Sequence, residues 1–117
     1  MKKIYICSPY REFKDGRKTN TCISNLCYAN SMAMRVIQGG DIPLASHIFY
    51  ARMLQDGSDE ETPWARNAGM RLAEKLIEDC DELLVCPING YISDGMKYEI
   101  EHARAHGIKV VTEKPQV

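Results

Sequence analysis

The sequence has no strong excess of either charge and no long hydrophobic segment. It contains 15 Lys and Arg against 16 Asp and Glu, which gives a formal net charge of −1. Domains that bind nucleic acid usually carry a basic excess or stripe, so this balance argues against a nucleic acid polymer as partner. No segment approaches the ~20 apolar residues that a membrane span needs, which argues against a membrane partner.

Cysteine pairs and a secretion signal are also missing. The five cysteines are odd in number and form no C-x-x-C pair, and no histidine lies at ligand spacing from them. We therefore expect reduced thiols, no disulfide framework and no metal site. The apolar run after Met1 is too short for the hydrophobic part of a signal peptide, so a cytoplasmic location is expected.

Length and composition fit one folded domain. The chain has 117 residues, of which 44% are hydrophobic and 26% are charged. This is close to the commonest domain size and is long enough to bury one real core. We expect a single domain over residues 1–117.

The hydrophobic pattern alternates between strands and helices. Strands are expected at residues 4–7, 42–45, 82–86 and 108–111, and helices at 20–38, 47–54, from Thr62 onward and 93–106. In the first helix, the apolar residues Ile23, Leu26, Cys27, Met34 and Ile37 recur at helical spacing. Pro43 favours a sheet edge for the second strand. This order predicts an α/β fold: a doubly wound, flavodoxin-like parallel sheet of about four strands, order 2-1-3-4, with helices on both faces.

Unusual polar loops follow the first and third strands of this predicted sheet. In such folds, ligands bind at the carboxyl ends of the strands where the strand order reverses. Ser8 and Arg11 follow the first strand, and an Arg there can hold a phosphate or carboxylate with two hydrogen bonds. His47 follows the second strand and can reach the same rim, although a surface or capping role is more common.

The segment after the third strand carries the chemistry. Ser93, Asp94 and Gly95 open a helix whose free N–H groups would face the crevice. Glu99 lies about a turn further, beside an apolar stripe that begins at Met96. A partly desolvated carboxylate there can attack an electron-poor carbon. The alternative is a surface acid that only favours the helix dipole, and spacing alone makes that alternative the commoner one.

Three segments resemble the nucleoside 2-deoxyribosyltransferase-like superfamily: residues 3–7, 80–85 and 95–103, which read KIYIC, CDELLV and GMKYEIEHA. That superfamily includes the transferases, the 2′-deoxynucleoside 5′-monophosphate N-glycosidases, and small phage and bacterial proteins. The resemblance implies an enzyme that breaks or exchanges an N-glycosidic bond through a covalent glycosyl ester on Glu99, oriented by Tyr5. It implies a nucleoside or nucleotide as the small-molecule partner, no cofactor, and a homodimer or larger homo-oligomer.

Two residues within the resemblance favour a 5′-monophosphate substrate. Ser93 stands where the transferases usually carry Asp and where the glycosidases carry a Ser that contacts phosphate. Arg11 falls where those glycosidases carry a phosphate-binding Arg. Ser8, His47, Asp94 and Gly95 complete the predicted substrate-binding set.

Two departures from the family pattern leave a second hypothesis open. Family members carry an acid on the helix before the third strand, and this chain has Ala73 at that position. Glu74, next to it, or an acid from residues 59–61 could supply the proton instead. The chain also stops soon after the last predicted strand, where family members continue. A non-catalytic domain that binds nucleotides or senses a nucleotide signal is therefore the alternative to the enzyme.

Overall fold

Short strands alternate with helices along the chain. A computed structural model describes residues 1–10, 22–54 and 61–113. In chain order the elements are β1 (Lys3–Cys7), α1 (Cys22–Gln38), β2 (Ile42–Leu44), α2 (Ser46–Phe49), α3 (Pro63–Glu78), β3 (Glu82–Val85), α4 (Asp94–Ala105) and β4 (Lys109–Thr112). The predicted helix at 47–54 is shorter than expected, because α2 ends at Phe49 and residues 50–54 form turns. Among the described residues, no helix has the length and apolar character that crossing a membrane requires.

The four strands form one parallel sheet in the order β2-β1-β3-β4. The predicted α/β class and strand order are therefore confirmed. β2 lies at an edge, where the missing N–H of Pro43 costs no ladder hydrogen bond. β1 and β3 are central and pair up to Cys7 and Val85, so the loops after these two strands begin side by side.

Helices cover both faces of the sheet, and β1 contributes alternate residues to each face. Tyr5 and Cys7 pack on the α3 and α4 side, against a cluster that includes Ala73 and Met96. Ile6 packs on the other side with residues of α1. Side chains along a strand alternate between its two faces. Tyr5 therefore points toward α4, and its neighbour Ile6 points toward α1 on the opposite face.

The helix starts that the sequence predicts are present as capped ends. The Thr62 hydroxyl accepts a hydrogen bond from the Ala65 N–H at 3.1 Å, and Pro63 is the first residue of α3. The Ser93 hydroxyl accepts from the Met96 N–H at 3.2 Å at the start of α4. Each such cap stabilises a helix by about 1 kcal/mol.

Helix α1 forms as the spacing predicts, but three of the apolar residues in that pattern are exposed. Met34 and Ile37 are 54% and 53% exposed, and Cys27 is also exposed. The buried positions are Asn25, Ala29, Met32, Ala33 and Val36. They follow helical spacing as well, and Met32, Ala33 and Val36 pack with Ile6 of β1. The less hydrophobic of two overlapping stripes therefore faces the sheet.

Candidate active site

A buried hydrogen bond joins the central strand β1 to helix α4. Tyr5 is fully buried and Glu99 is 8% exposed. The Tyr5 hydroxyl donates to Glu99 Oε2 at 2.7 Å. Burial, followed by the negative charge of Glu99, raises the pKa of Tyr5 well above its ordinary value. The phenol therefore keeps its proton and presents it to the carboxylate.

Ser46 extends this pair into a chain of three side chains. Its Oγ lies 2.9 Å from the Tyr5 hydroxyl oxygen. Since the single phenolic proton goes to Glu99, the Ser46 hydroxyl donates to Tyr5. Three elements, α2, β1 and α4, thus hold one carboxylate oxygen. Sequence reasoning missed Ser46, whose only signal was its position just after an edge strand.

Glu99 occupies a core position of α4. The buried residues of this helix are Met96, Glu99 and Ala103, so Glu99 lies within the inward stripe rather than beside it. It is therefore not the surface acid of the alternative interpretation. A carboxylate in such a place needs hydrogen bonds to offset its lost hydration, and Tyr5 supplies one.

The nearest thiol does not compete with Glu99 as a nucleophile. Cys7 is buried, and its Sγ lies 3.7 Å from the Met96 carbonyl oxygen. Burial and the charge of Glu99 raise the pKa of Cys7 well above its ordinary value. The thiolate is the reactive form of cysteine, so this thiol is inert at neutral pH.

Glu99 lines a cavity of about 260 Å³ between α2, α3 and α4. This volume lies just below the ~300–1,000 Å³ of most ligand sites, so the space suits a small molecule. The polar side chains on its wall are Ser46, His47, Tyr50, Glu61, Arg66, Glu74, Asp94, Tyr98, Glu99 and His102. Residues that follow β2 (Ser46 and His47) and β3 (Asp94 and Gly95) line the cavity, whereas the sequence predicted a site at the carboxyl ends of β1 and β3.

The predicted substrate-binding residues divide into two groups. His47, Asp94 and Gly95 line the cavity, whereas Ser8 and Ser93 are not among its lining residues. His47 stacks on Tyr10 with ring centres 5.1 Å apart. Ser93 caps α4, as described above. Arg11, the predicted phosphate contact, lies outside the described residues.

Ser8 lies behind His47, at the end of β1. The His47 Nε2 atom is 3.0 Å from the Ser8 carbonyl oxygen. Ser8 is 1% exposed, and within the described part of the chain its hydroxyl has no hydrogen-bond partner. A buried polar group without a partner costs about 1–3 kcal/mol of folding free energy. The Ser8 hydroxyl is such a group, and its residue contacts His47 of the cavity wall.

Two acids line the cavity wall near the position of the missing family acid. Ala73 is buried on that wall and offers no proton. Glu74 follows it and accepts a hydrogen bond from the Tyr98 hydroxyl, which raises the pKa of Tyr98. The Glu61 carboxylate lies 3.8 Å from the Arg66 guanidinium. Residues 59 and 60, the other predicted substitutes, lie outside the described residues.

The fold is similar to that of solved 2-deoxyribosyltransferases. The structure of a 2-deoxyribosyltransferase from the psychrotolerant bacterium Bacillus psychrosaccharolyticus matches with a TM-score of 0.66 and 14% identity, over 97% of this chain and 77% of that chain. A 2-desoxiribosyltransferase from Leishmania mexicana matches with a TM-score of 0.55 and 20% identity, over 96% of this chain and 63% of that chain. At these identities the likeness shows a nucleoside 2-deoxyribosyltransferase-like fold, as the sequence resemblance implied.

The sequence itself matches a protein family. No curated protein matches the chain at a significant level. The family model described as "Domain of unknown function (DUF7768)" matches residues 2–113, which include every element of the sheet and the Tyr5–Glu99 pair. The chain therefore belongs to the DUF7768 family.

Proposed function

We propose that the protein breaks or exchanges the N-glycosidic bond of a 2′-deoxynucleoside or its 5′-monophosphate, with Glu99 as the nucleophile. The observation that carries the proposal is the 2.7 Å hydrogen bond from Tyr5 to the buried Glu99 carboxylate, which lines a ligand-sized cavity. The structural neighbours named as 2-deoxyribosyltransferases support the substrate class.

In the proposed first step, a Glu99 carboxylate oxygen attacks C1′ of the sugar. A C1′–O bond forms as the C1′–N bond breaks, and the bonding electron pair leaves with the base nitrogen, which takes up a proton. In the second step, water or another base attacks C1′ and releases Glu99. The carboxylate does the covalent work, so this route requires no cofactor.

Tyr5 acts as a positioning donor in this scheme. A neutral phenol orients the carboxylate without cancelling its charge, as an ion pair would. Ser46 donates a hydrogen bond to the Tyr5 oxygen and accepts none from it, so the phenolic proton stays on Tyr5 and points at Glu99. A fixed carboxylate loses little freedom when it reaches the sugar, and such orientation is a large part of catalysis.

The leaving base needs a proton, and Glu74 in its protonated form is the proposed donor. It lines the cavity next to Ala73, and Tyr98 holds its carboxylate in place. Glu61 is the second acid on the same wall. General acid assistance contributes about 10²–10⁴-fold, so a working donor is required for a useful rate.

The start of α4 is the proposed site for the sugar end of the substrate. Asp94 and Gly95 line the cavity there, where helix N–H groups and the helix dipole favour an anion. The Ser93 hydroxyl accepts from Met96 and so keeps its own proton to donate to a phosphate oxygen. His47, which also lines the cavity, would complete the contacts.

The test is product analysis after incubation with each of the deoxynucleosides and deoxynucleoside 5′-monophosphates, with and without an acceptor base. Chromatography that detects free or exchanged base supports the proposal when Glu99→Gln abolishes the product. Glu101→Gln is the matched control, since Glu101 is exposed on the same helix. Unchanged turnover in Glu99→Gln contradicts the proposal.

Ala73 favours a second candidate, a non-catalytic nucleotide-binding domain. Without an acid at that buried position, the cavity can hold a nucleotide that is never cleaved. Chromatography after incubation with deoxynucleoside monophosphates separates the two candidates, because an enzyme releases free base whereas a binder retains the intact nucleotide.

A further inference from the structure

Two histidines and one acid meet at the carboxyl-terminal ends of α3 and α4. Glu78 is the last residue of α3, and His102 and His106 lie in the last turn and C-cap of α4. One ligand atom from each residue lies within 4.8 Å of the other two. His102 Nε2 is 2.9 Å from Glu78 Oε2.

The arrangement follows from helical spacing and from the fold. Residues four apart lie on one face of a helix, which brings His102 and His106 together with ring centres 4.2 Å apart. α3 and α4 pack on the same face of the sheet, and each returns toward the amino ends of the parallel strands. Their carboxyl-terminal ends are therefore neighbours.

Outer hydrogen bonds orient two of the three groups. His106 Nδ1 lies 2.9 Å from the His102 carbonyl oxygen, which can only accept, so Nδ1 carries the proton and Nε2 keeps its lone pair. Lys75 lies 3.3 Å from Glu78 Oε1, which leaves Oε2 facing His102. Metal-binding histidines usually donate their other N–H to a carbonyl or carboxylate in this manner.

We propose that Glu78, His102 and His106 bind a divalent transition-metal ion such as Zn²⁺. Zinc lies ~2.0–2.2 Å from nitrogen and oxygen ligands, so tetrahedral ligand atoms are about 3.3 Å apart. The observed separations need only small side-chain rotations to reach that geometry. Three protein ligands leave one position for water, and imidazole with carboxylate suits zinc.

The ion would tie together two walls of the cavity. α3 and α4 both contribute lining residues, and His102 belongs to the cavity wall as well as to the cluster. A ligand that binds only the folded protein stabilises it. The site is independent of the proposed glycosidic chemistry, since none of its three residues has a role in that scheme.

The proposed site differs from the sequence-based expectation of no metal. That expectation rested on the cysteines, which have no histidine at ligand spacing. The spacing of His102 and His106 was a usable signal, because two histidines four apart on a helix can share a metal. Glu78 lies 24 residues before His102, and only the packing of α3 against α4 brings its carboxylate close to the two histidines.

The experiment is a titration of the tag-free, metal-free full chain with Co²⁺, followed by displacement with Zn²⁺. A visible absorption band typical of tetrahedral Co²⁺ is expected, together with a rise in Tm on addition of Zn²⁺. His106→Ala should lose both, and it should fold normally because His106 is exposed. Glu78→Gln should also lose both.

Two controls make the result decisive. Glu101→Gln, an exposed acid on α4, should keep the absorption and the Tm shift. The exposed Cys27 thiol could bind Co²⁺ in place of the proposed site, so Cys27→Ser is the second control. This variant should also keep the absorption and the Tm shift. Absence of the band in the wild type overturns the metal site and means that Glu78 and His102 form an ion pair only. A band that survives His106→Ala also overturns the site, and so does a band that Cys27→Ser removes.

Discussion

The Tyr5 hydroxyl donates a 2.7 Å hydrogen bond to the Glu99 carboxylate across 94 residues of chain. Both residues are buried where β1 and α4 face each other. The pair therefore places a charged group inside the core, at the wall of a cavity. Buried charges are costly, so a fold that keeps one usually uses it.

Glu99→Gln is expected to lower the rate of base release by on the order of 10³-fold or more, which is the scale of losing a nucleophile. The amide cannot form the glycosyl ester, yet its oxygen still accepts from Tyr5, so the fold should persist. Chromatography of released base and the circular dichroism spectrum measure the two effects. Mass spectrometry of wild-type protein quenched during turnover should reveal the added deoxyribosyl group. A matching adduct on Glu99→Gln would contradict the assignment.

Tyr5→Phe is expected to lower the free energy of unfolding by about 1–3 kcal/mol, because the buried carboxylate loses a donor. The maximal rate should fall more than substrate affinity, since Tyr5 orients the nucleophile and does not contact the substrate. Denaturant unfolding and steady-state kinetics provide both numbers. Ser46→Ala leaves the Tyr5–Glu99 bond in place and should cost less on both counts. An equal or larger loss in Ser46→Ala would mean that the Tyr5–Glu99 bond is not the dominant contact.

Glu74→Gln is expected to slow release of natural bases by about 10²–10⁴-fold if Glu74 protonates the leaving group. A substrate whose leaving group departs without protonation should react with Glu74→Gln at nearly the wild-type rate. Kinetics on the two kinds of substrate measure this difference. Glu61→Gln is the companion variant, and the larger defect identifies the donor. Equal rates in all three proteins on natural bases would exclude both acids.

Ser93→Asp is expected to keep the stability of the protein while reducing its preference for a 5′-monophosphate. Asp caps helices as well as Ser does, so Tm should change little. Its negative charge repels phosphate, so KM should rise for the monophosphate and not for the nucleoside. Ser93→Ala, which loses the cap, should instead lower stability by about 1 kcal/mol. A KM that rises equally for both substrates would remove phosphate from the proposal.

Stability is expected to fall in alkaline solution. Burial, as the largest cause, raises the pKa of Cys80 and Cys86 from 9.0 to about 12 and that of Tyr5 well above 10.0. In the unfolded chain these groups lose their protons at lower pH than in the folded protein. The stability they contribute is complete below about pH 9 and is lost as pH rises toward 12.

The measurement is Tm as a function of pH in the alkaline range. The double variant Cys80→Ala, Cys86→Ala should show a shallower decline than the wild type above about pH 9. Identical slopes for the two proteins would show that other groups cause the alkaline loss.

Local signals in the sequence predicted most of the strands and helices and their order. Pro43 indicated the edge strand, Thr62 and Ser93 indicated two helix starts, and runs such as Leu83–Val85 indicated central strands. These signals depend on a residue's own backbone preferences and on neighbours within one turn, so they can be read without a partner. Element order and connection length then restricted the topology to a parallel doubly wound sheet.

The face of α1 could not be predicted in the same way. Two helical stripes overlap there, and Met34 and Ile37 made the wrong one more hydrophobic. The stripe with Ala33 and Val36 packs with Ile6 of β1, and the shape of that partner surface, which lies far away in the sequence, decides which stripe fits.

The sequence by itself determined that Glu99 lies about one turn into the helix that follows the third strand of a parallel sheet. Only the tertiary structure decided that the carboxylate is buried and accepts a hydrogen bond from Tyr5, with Ser46 behind it. It also decided that Glu78 meets His102 and His106. The reason is physical: helix and strand signals are local, whereas these contacts join residues far apart in the chain that only the packing of α2, α3 and α4 on the sheet brings within bonding distance.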